Sequence, residues 1–288
     1  MKKNTKKIVT AAGIAAGTAA VASLYAYVTI KALIDTALDR EMPKVMEKAD
    51  KRISGEKSSD EFTNRMESAS ESLAVQPNET VEIIAHDGEK LVGHYFPCEK
   101  PERVIIAFHG WRSSWHRDFG MISDFWYKNN CSVLYVEQRG QNNSSGEYMG
   151  FGLTERFDCL DWLNWEIERC GSDIPVYLAG VSMGATTVLM AAGLQLPPNV
   201  HGIMADCGFT SANAIWEHIA KDNLHIRFGI RSAIADRMCR RKIQVGSKEH
   251  STVEALKHTH VPVILVHGAD DHFVPVEMTY ENYTACTA

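Results

Sequence analysis

None of the seven cysteines in this 288-residue chain forms a CxxC pair, so neither a zinc ribbon nor a thioredoxin-type redox site is encoded. Their number is odd and their spacings are scattered, which argues against a disulfide framework. Excess positive charge is also missing. The chain carries 30 Lys and Arg against 36 Asp and Glu, a net charge of -6. A nucleic-acid binder would present a broad basic face. The one compact basic run, Arg237 to Lys242, reads as a solvated helix face. Charge of either sign is absent from Ile8 to Ile30, and histidine is absent after His272. Nothing in the sequence calls for a metal or an organic cofactor.

The uncharged stretch is 23 residues long and follows Lys2, Lys3, Lys6 and Lys7. A helix of about 20 apolar residues spans a bilayer core. The leading positive charges place the N-terminus in the cytoplasm and the remainder outside. This predicts a membrane anchor over residues 1–38. A second reading stays open, because Ala20-Val21-Ala22 has the small residues of a signal-peptidase site, which would make the protein secreted. Residues 39–79 turn charged, with apolar residues at helical spacing and a capping box at Ser58 and Glu61. They read as a helical stalk without chemistry of its own.

From about residue 80 the pattern becomes apolar runs alternating with helical stretches. Val81 to Ala85 and Leu91 to Phe96 flank an Asp87-Gly88 hairpin turn. Val104 to Phe108, Val133 to Val136, Val176 to Ala179, Gly202 to Ala205 and Val261 to Val266 are continuous runs that suit strands buried on both faces. The alternation predicts an α/β domain over 80–288, with a mostly parallel sheet and helices on both faces. The segment from about 208 to 250 is too long for a simple connection and predicts a small helical cap over the sheet's carboxyl edge.

The chemistry centres on Gly180-Val181-Ser182-Met183-Gly184, a G-x-S-x-G sequence between a strand and a helix. A sharp turn there lifts the Ser182 hydroxyl above the sheet, and the glycines let the backbone pass closely. His109-Gly110-Trp111 ends the third apolar run. The backbone N–H groups of Trp111 and Met183 are expected to form an oxyanion hole. His109 itself precedes the nucleophile in chain order and reads as a structural histidine. In His267-Gly-Ala-Asp-Asp271-His-Phe-Val-Pro275, Asp271 is the expected acid, ahead of Asp270 and of Asp206 after the preceding strand.

These motifs, with Glu137-Gln138-Arg139-Gly140 and Asp206-Cys-Gly-Phe209, resemble the bacterial membrane-anchored α/β-hydrolases of the serine aminopeptidase-like and lysophospholipase-like group. The resemblance covers the chain from about residue 80. It implies an α/β-hydrolase fold with Ser182 as nucleophile, Asp271 as acid, and Trp111 and Met183 as oxyanion donors. It further implies cleavage of an ester, thioester or amide in a small-molecule, lipid or peptide acyl substrate. The loop at Gln138-Arg139-Gly140 is expected to be structural.

One member of the constellation is not found. The order in this fold is Ser, acid, His, and the histidine follows one more strand after the acid. His272 adjoins Asp271, and His258, His260 and His267 precede it. The expectation is therefore a chain whose final strand and helix are missing. The alternative is a membrane-tethered binding module that has no catalytic histidine.

Overall fold

The computed structural model describes residues 21, 23–42, 61–229 and 231–288. Seven strands form one sheet: β1 (Glu79–Ile84), β2 (Lys90–Phe96), β3 (Arg103–Phe108), β4 (Cys131–Glu137), β5 (Val176–Val181), β6 (Val200–Asp206) and β7 (Val263–Val266). Their order is β1-β2-β4-β3-β5-β6-β7. β1 and β2 form an antiparallel hairpin, and β2 joins β4 antiparallel. The turn falls at Asp87-Gly88, where Gly88 takes φ +94°, a conformation that glycine adopts without steric cost. From β4 to β7 every pairing is parallel. Strands β3 and β4 are buried along nearly their whole length, as their unbroken apolar runs require.

Nine α-helices surround this sheet among the described residues: α1 (23–38), α2 (Glu61–Ala74), α3 (Trp115–Lys128), α4 (Glu155–Cys170), α5 (Met183–Ala191), α6 (Ala212–His218), α7 (Arg231–Ile243), α8 (Thr252–Leu256) and α9 (Glu277–Ala285). One face of the sheet is covered by α4, α5 and α8, through Trp162, Leu163, Val188 and Leu256. The other is covered by α3, whose Trp115, Phe119 and Trp126 pack on Tyr135 and Ile105 together with Leu73 of α2. Such aromatic side chains supply large buried area per residue, which is why a single helix can cover this face. A third cluster lies over the carboxyl edge and is built from α6, α7, the loop 149–153 and the last turns of α1. The expected cap is thus two helices joined through a π-helical turn, Ile219–Asn223.

The N-terminal segments do more than the sequence implied. Among the described residues no helix is long and apolar enough to cross a membrane. Residues 1–20, which hold most of the expected anchor, lie outside the described residues, as does the capping Ser58. The carboxyl half of α1, by contrast, is inside the protein. Ile30, Ile34, Ala37 and Leu38 are buried in the cap cluster that also holds Met183, Phe151 and Trp216. Burying an Ile or Leu side chain contributes about 1.5–3 kcal/mol, so these residues alone anchor the helix end firmly. The α2 portion of the expected stalk packs along α3, close enough that a Cβ on Gly120 would lie 2.7 Å from the Ala69 backbone.

The last helix, α9, follows the turn at Val274-Pro275 and spans Glu277–Ala285. β7 is one edge of the sheet, and its Ile264 and Val266 are 61% and 52% exposed.

Candidate active site

Strand order decides which side chains meet. β3, β5, β6 and β7 are adjacent and parallel, with Phe108 paired to Gly180, Val181 to Asp206, and Asp206 to Val266. The residues following them, His109, Ser182, Cys207 and His267, therefore emerge side by side at the carboxyl edge, where open α/β sheets bind ligands.

Ser182 lies between β5 and α5 with φ 53° and ψ −114°. A non-glycine residue at positive φ is strained, and such strain persists only where the surroundings impose it. Here the glycines impose it. A Cβ on Gly184 would fall 1.9 Å from the Phe108 carbonyl oxygen, and one on Gly180 would fall 2.3 Å from the Gly184 backbone. The turn is held further by the Ser182 N–H, which donates to the Asp206 carbonyl at 2.8 Å. Ser182 itself is half-buried at the surface of this edge.

The loop after β3 abuts it. A Cβ on Gly110 would lie 3.4 Å from the Ser182 Cβ. Among the described residues, neither the Trp111 N–H nor the Met183 N–H donates to any protein acceptor. Their neighbours on the loop are all committed. The Gly110 N–H donates to the Asp118 carboxylate at 2.7 Å, and the Arg112 N–H donates to Gln141 Oε1 at 2.6 Å. The Ser113 hydroxyl donates to the other Asp118 oxygen at 2.6 Å. Two backbone donors without acceptors, beside an alcohol on a strained turn, are what an oxyanion hole requires.

His109 belongs to the scaffold. It is fully buried, and burial holds its imidazole below the usual range, that is, neutral. Its Nδ1–H donates to the Gly110 carbonyl at 2.7 Å, leaving Nε2 to accept from the Gln138 N–H at 3.3 Å and from Asn142 Nδ2 at 3.2 Å. The Gln138 side chain in turn donates to the His109 carbonyl and accepts from the Thr187 hydroxyl at 2.8 Å. Arg139 is buried, with Nε donating to Asp158 at 2.7 Å and Nη1 to Asp87 at 2.7 Å. The loop after β4 is therefore a clamp on the loop after β3 and on the β1–β2 turn.

Asp271 lies on the loop after β7. Its Oδ1 accepts from the Phe273 and Val274 N–H groups at 2.8 and 2.9 Å, which closes its own turn. Its Oδ2 is 3.6 Å from His267 Nε2. Asp270 is exposed. Asp206 is held above the ordinary carboxylate range, first by partial burial, against the pull of His267, and further by the Asp271 and Asp118 charges. Asp271 and Asp118 thus both lie within electrostatic range of Asp206 at this edge.

No histidine ring among the described residues hydrogen-bonds the Ser182 hydroxyl. His267 is engaged on both nitrogens, by Thr279 Oγ1 at 2.6 Å and by the Val274 carbonyl at 2.8 Å. Cys207, next to Ser182 at φ 48°, is no substitute nucleophile. Burial and then Asp206 push its thiol up to about 12, so the reactive thiolate is negligible at neutral pH.

Two contributors were missed from the sequence. Asp118 is eight residues along from the Gly110 it restrains, and its only signal was an acidic residue in the first turn of α3. The end of α1 had none beyond Ile30, Ile34 and Leu38 at helical spacing across Lys31 and Asp35.

No protein-family profile matches the chain. A curated relative, the uncharacterized protein YqkD of Bacillus subtilis (strain 168), is 23% identical over 195 residues, covering 66% of this chain. The chain spans 62% of that relative's length. Among solved structures, the esterase Pf2001 of Pyrococcus furiosus matches with TM-score 0.59 and 20% identity, over 75% of this chain and 79% of that one. The α/β hydrolase GrgF of Penicillium sp. sh18 matches with TM-score 0.56 and 16% identity, over 74% and 87%. The acylaminoacyl peptidase of Pyrococcus horikoshii matches with TM-score 0.52 and 17% identity, over 74% and 35%. The sheet order, the strained turn after β5 and these likenesses together give the chain the fold of the α/β hydrolases.

Proposed function

We propose that this protein is a serine hydrolase that cleaves an ester, thioester or amide by acyl transfer through Ser182. The observation that carries this reading is the strained turn at Ser182 with the acceptor-free N–H groups of Trp111 and Met183 beside it. In the proposed reaction the Ser182 oxygen attacks the carbonyl carbon and its proton passes to a base. The carbonyl oxygen becomes an oxyanion held by the two amides, and the leaving group departs with a proton. Water then releases the acid from the acyl-enzyme. Asp271 is the proposed acid that orients the base, since its Oδ2 is not used in its own turn. The names of the structural neighbours, an esterase and an acylaminoacyl peptidase, are in keeping with acyl chemistry.

A second reading, a binding module on the same scaffold, is favoured by one observation: no described imidazole engages the Ser182 hydroxyl. Hydrolysis of p-nitrophenyl esters of graded chain length, with and without added imidazole, separates the two. The hydrolase reading predicts turnover that Ser182→Ala lowers to the solution background, and a gain from imidazole in the wild type beyond its own solution catalysis. Equal rates for wild type and Ser182→Ala under all conditions would leave the binding module.

We also propose that the catalytic domain is held at a membrane by the N-terminal segment, with the domain on the extracytoplasmic side. The start of α1 supports this. Val21, Leu24, Tyr25 and Val28 are 53–69% exposed, with no charge between Lys7 and Lys31. A helix apolar all round needs an apolar surrounding. Flotation of the full chain with vesicles tests this.

A further inference from the structure

We infer that Arg112 is a positioning residue that fixes the oxyanion loop to the carboxyl end of α1, so that the N-terminal helix is a working part of the active site. This rests on the hydrolase reading for its kinetic consequence, though not for its geometry.

A helix ends with four carbonyls that have no intrahelical partner, and a partial negative charge gathers there. In α1 and the residues that follow it, five consecutive carbonyls are claimed from outside. Arg112 Nη2 donates to Thr36 O at 3.0 Å and to Asp39 O at 2.5 Å, and Arg112 Nη1 donates to Arg40 O at 2.9 Å. Trp111 Nε1 donates to Ala37 O at 3.0 Å. The Met149 N–H donates to Leu38 O at 2.7 Å. Four of the five are thus held by the two residues that follow Gly110, and one of those carries a proposed oxyanion N–H. The guanidinium also lies 5.1 Å from the centre of the Trp111 ring, which ties the two side chains to each other.

The arrangement is over-determined in the way a positioning device requires. Arg112 takes φ +50°, a strained value for a side chain of its size. Its guanidinium reaches the end of α1, while its N–H donates to Gln141 Oε1 on the loop after β4. On the helix side, Lys242 of the cap pairs with Asp35 at 3.1 Å and with Asp39, and Asp39 bridges to Tyr148. Ile34 and Leu38 lie in the same cluster as Met183, the residue carrying the second proposed oxyanion N–H. The Trp111 donor is therefore tied to α1 through hydrogen bonds, and Met183 shares an apolar cluster with that helix. A plain helix cap would account for the carbonyls alone. It would not account for the strained loop residue or for the indole of the neighbouring donor on the same helix end.

The test uses the full chain as wild type, Arg112→Gln and Arg112→Lys. Ester turnover, thermal midpoint and hydrogen exchange of the amides at 109–113 are measured on each. A displacement of about 1 Å in a catalytic group costs roughly a hundredfold in rate. Arg112→Gln is therefore expected to lower kcat by roughly 10- to 100-fold, with KM changed by less than about threefold. Exchange at 109–113 should rise, and Lys, which keeps the charge, should recover part of both effects. Unchanged exchange at 109–113 in a folded Arg112→Gln protein overturns the inference. So does a kcat that stays at the wild-type value while exchange rises. If the wild type turns over no ester even with imidazole supplied as base, the hydrolase reading fails separately, and the exchange measurement alone decides whether α1 holds the loop.

Discussion

At Gly184 there is no room for a single methyl group. Its Cβ would sit 1.9 Å from the Phe108 carbonyl oxygen, so β3, β5 and α5 would have to separate. Overpacking of this kind costs about 1–3 kcal/mol when neighbours can yield, and here the neighbour is strand backbone. Gly184→Ala is expected to lose at least about 3 kcal/mol in denaturant unfolding, at the top of that range. Gly268→Ala, at a position with nothing within 4 Å, is expected to stay within about 0.5 kcal/mol of the wild type. Equal stability of the two variants would contradict the steric account of the turn. This steric demand is also why the turn at Ser182 was legible in the sequence, since the glycines that make the turn are themselves the motif. Asp118 could not. Its contact with Gly110 exists only once the loop folds back on the first turn of α3, and nothing in the spacing encodes that.

At the scale of elements, the central strands β3 and β4 were legible because side chains buried on both faces leave unbroken apolar runs, whereas the equally apolar run at Val261 to Val266 is an edge strand with Ile264 and Val266 exposed. The Asp87-Gly88 turn was legible because φ +94° selects glycine. The helix α1 was read only in part. An uncharged run has the same hydropathy whether lipid or protein covers it, and only the fold shows that the buried surface begins at Ile30. The boundary gives a prediction about the two halves of the helix. Substituting Leu24, Tyr25 and Val28 together by Ser is expected to weaken vesicle flotation of the full chain while leaving its thermal midpoint nearly unchanged. Ile34→Ser is expected to do the reverse, costing a few kcal/mol of stability because a buried apolar side chain is lost. A chain that never floats, whatever its sequence at 24–28, would contradict the membrane proposal.

Across the whole molecule, three apolar clusters meet at one edge of one sheet. Two cover its faces, and the third closes the carboxyl edge with the cap and α1. That arrangement gathers an alcohol, two backbone donors and the carboxylates of Asp206 and Asp271 at the ends of four adjacent strands, with Asp118 of α3 beside them. The fold class and this edge were readable from the order of apolar runs. The bracing of the edge by the chain's own N-terminal helix was not, because it depends on contacts between residues more than seventy positions apart. The account as a whole stands on Ser182 acting as a nucleophile. Its most direct test is to treat the full chain with a fluorophosphonate probe, with imidazole supplied as base, and to map the adduct by peptide mass spectrometry. One adduct on the peptide bearing Ser182, absent from Ser182→Ala, is the predicted result. A folded wild-type chain that takes up no probe, or takes it up elsewhere, would contradict it.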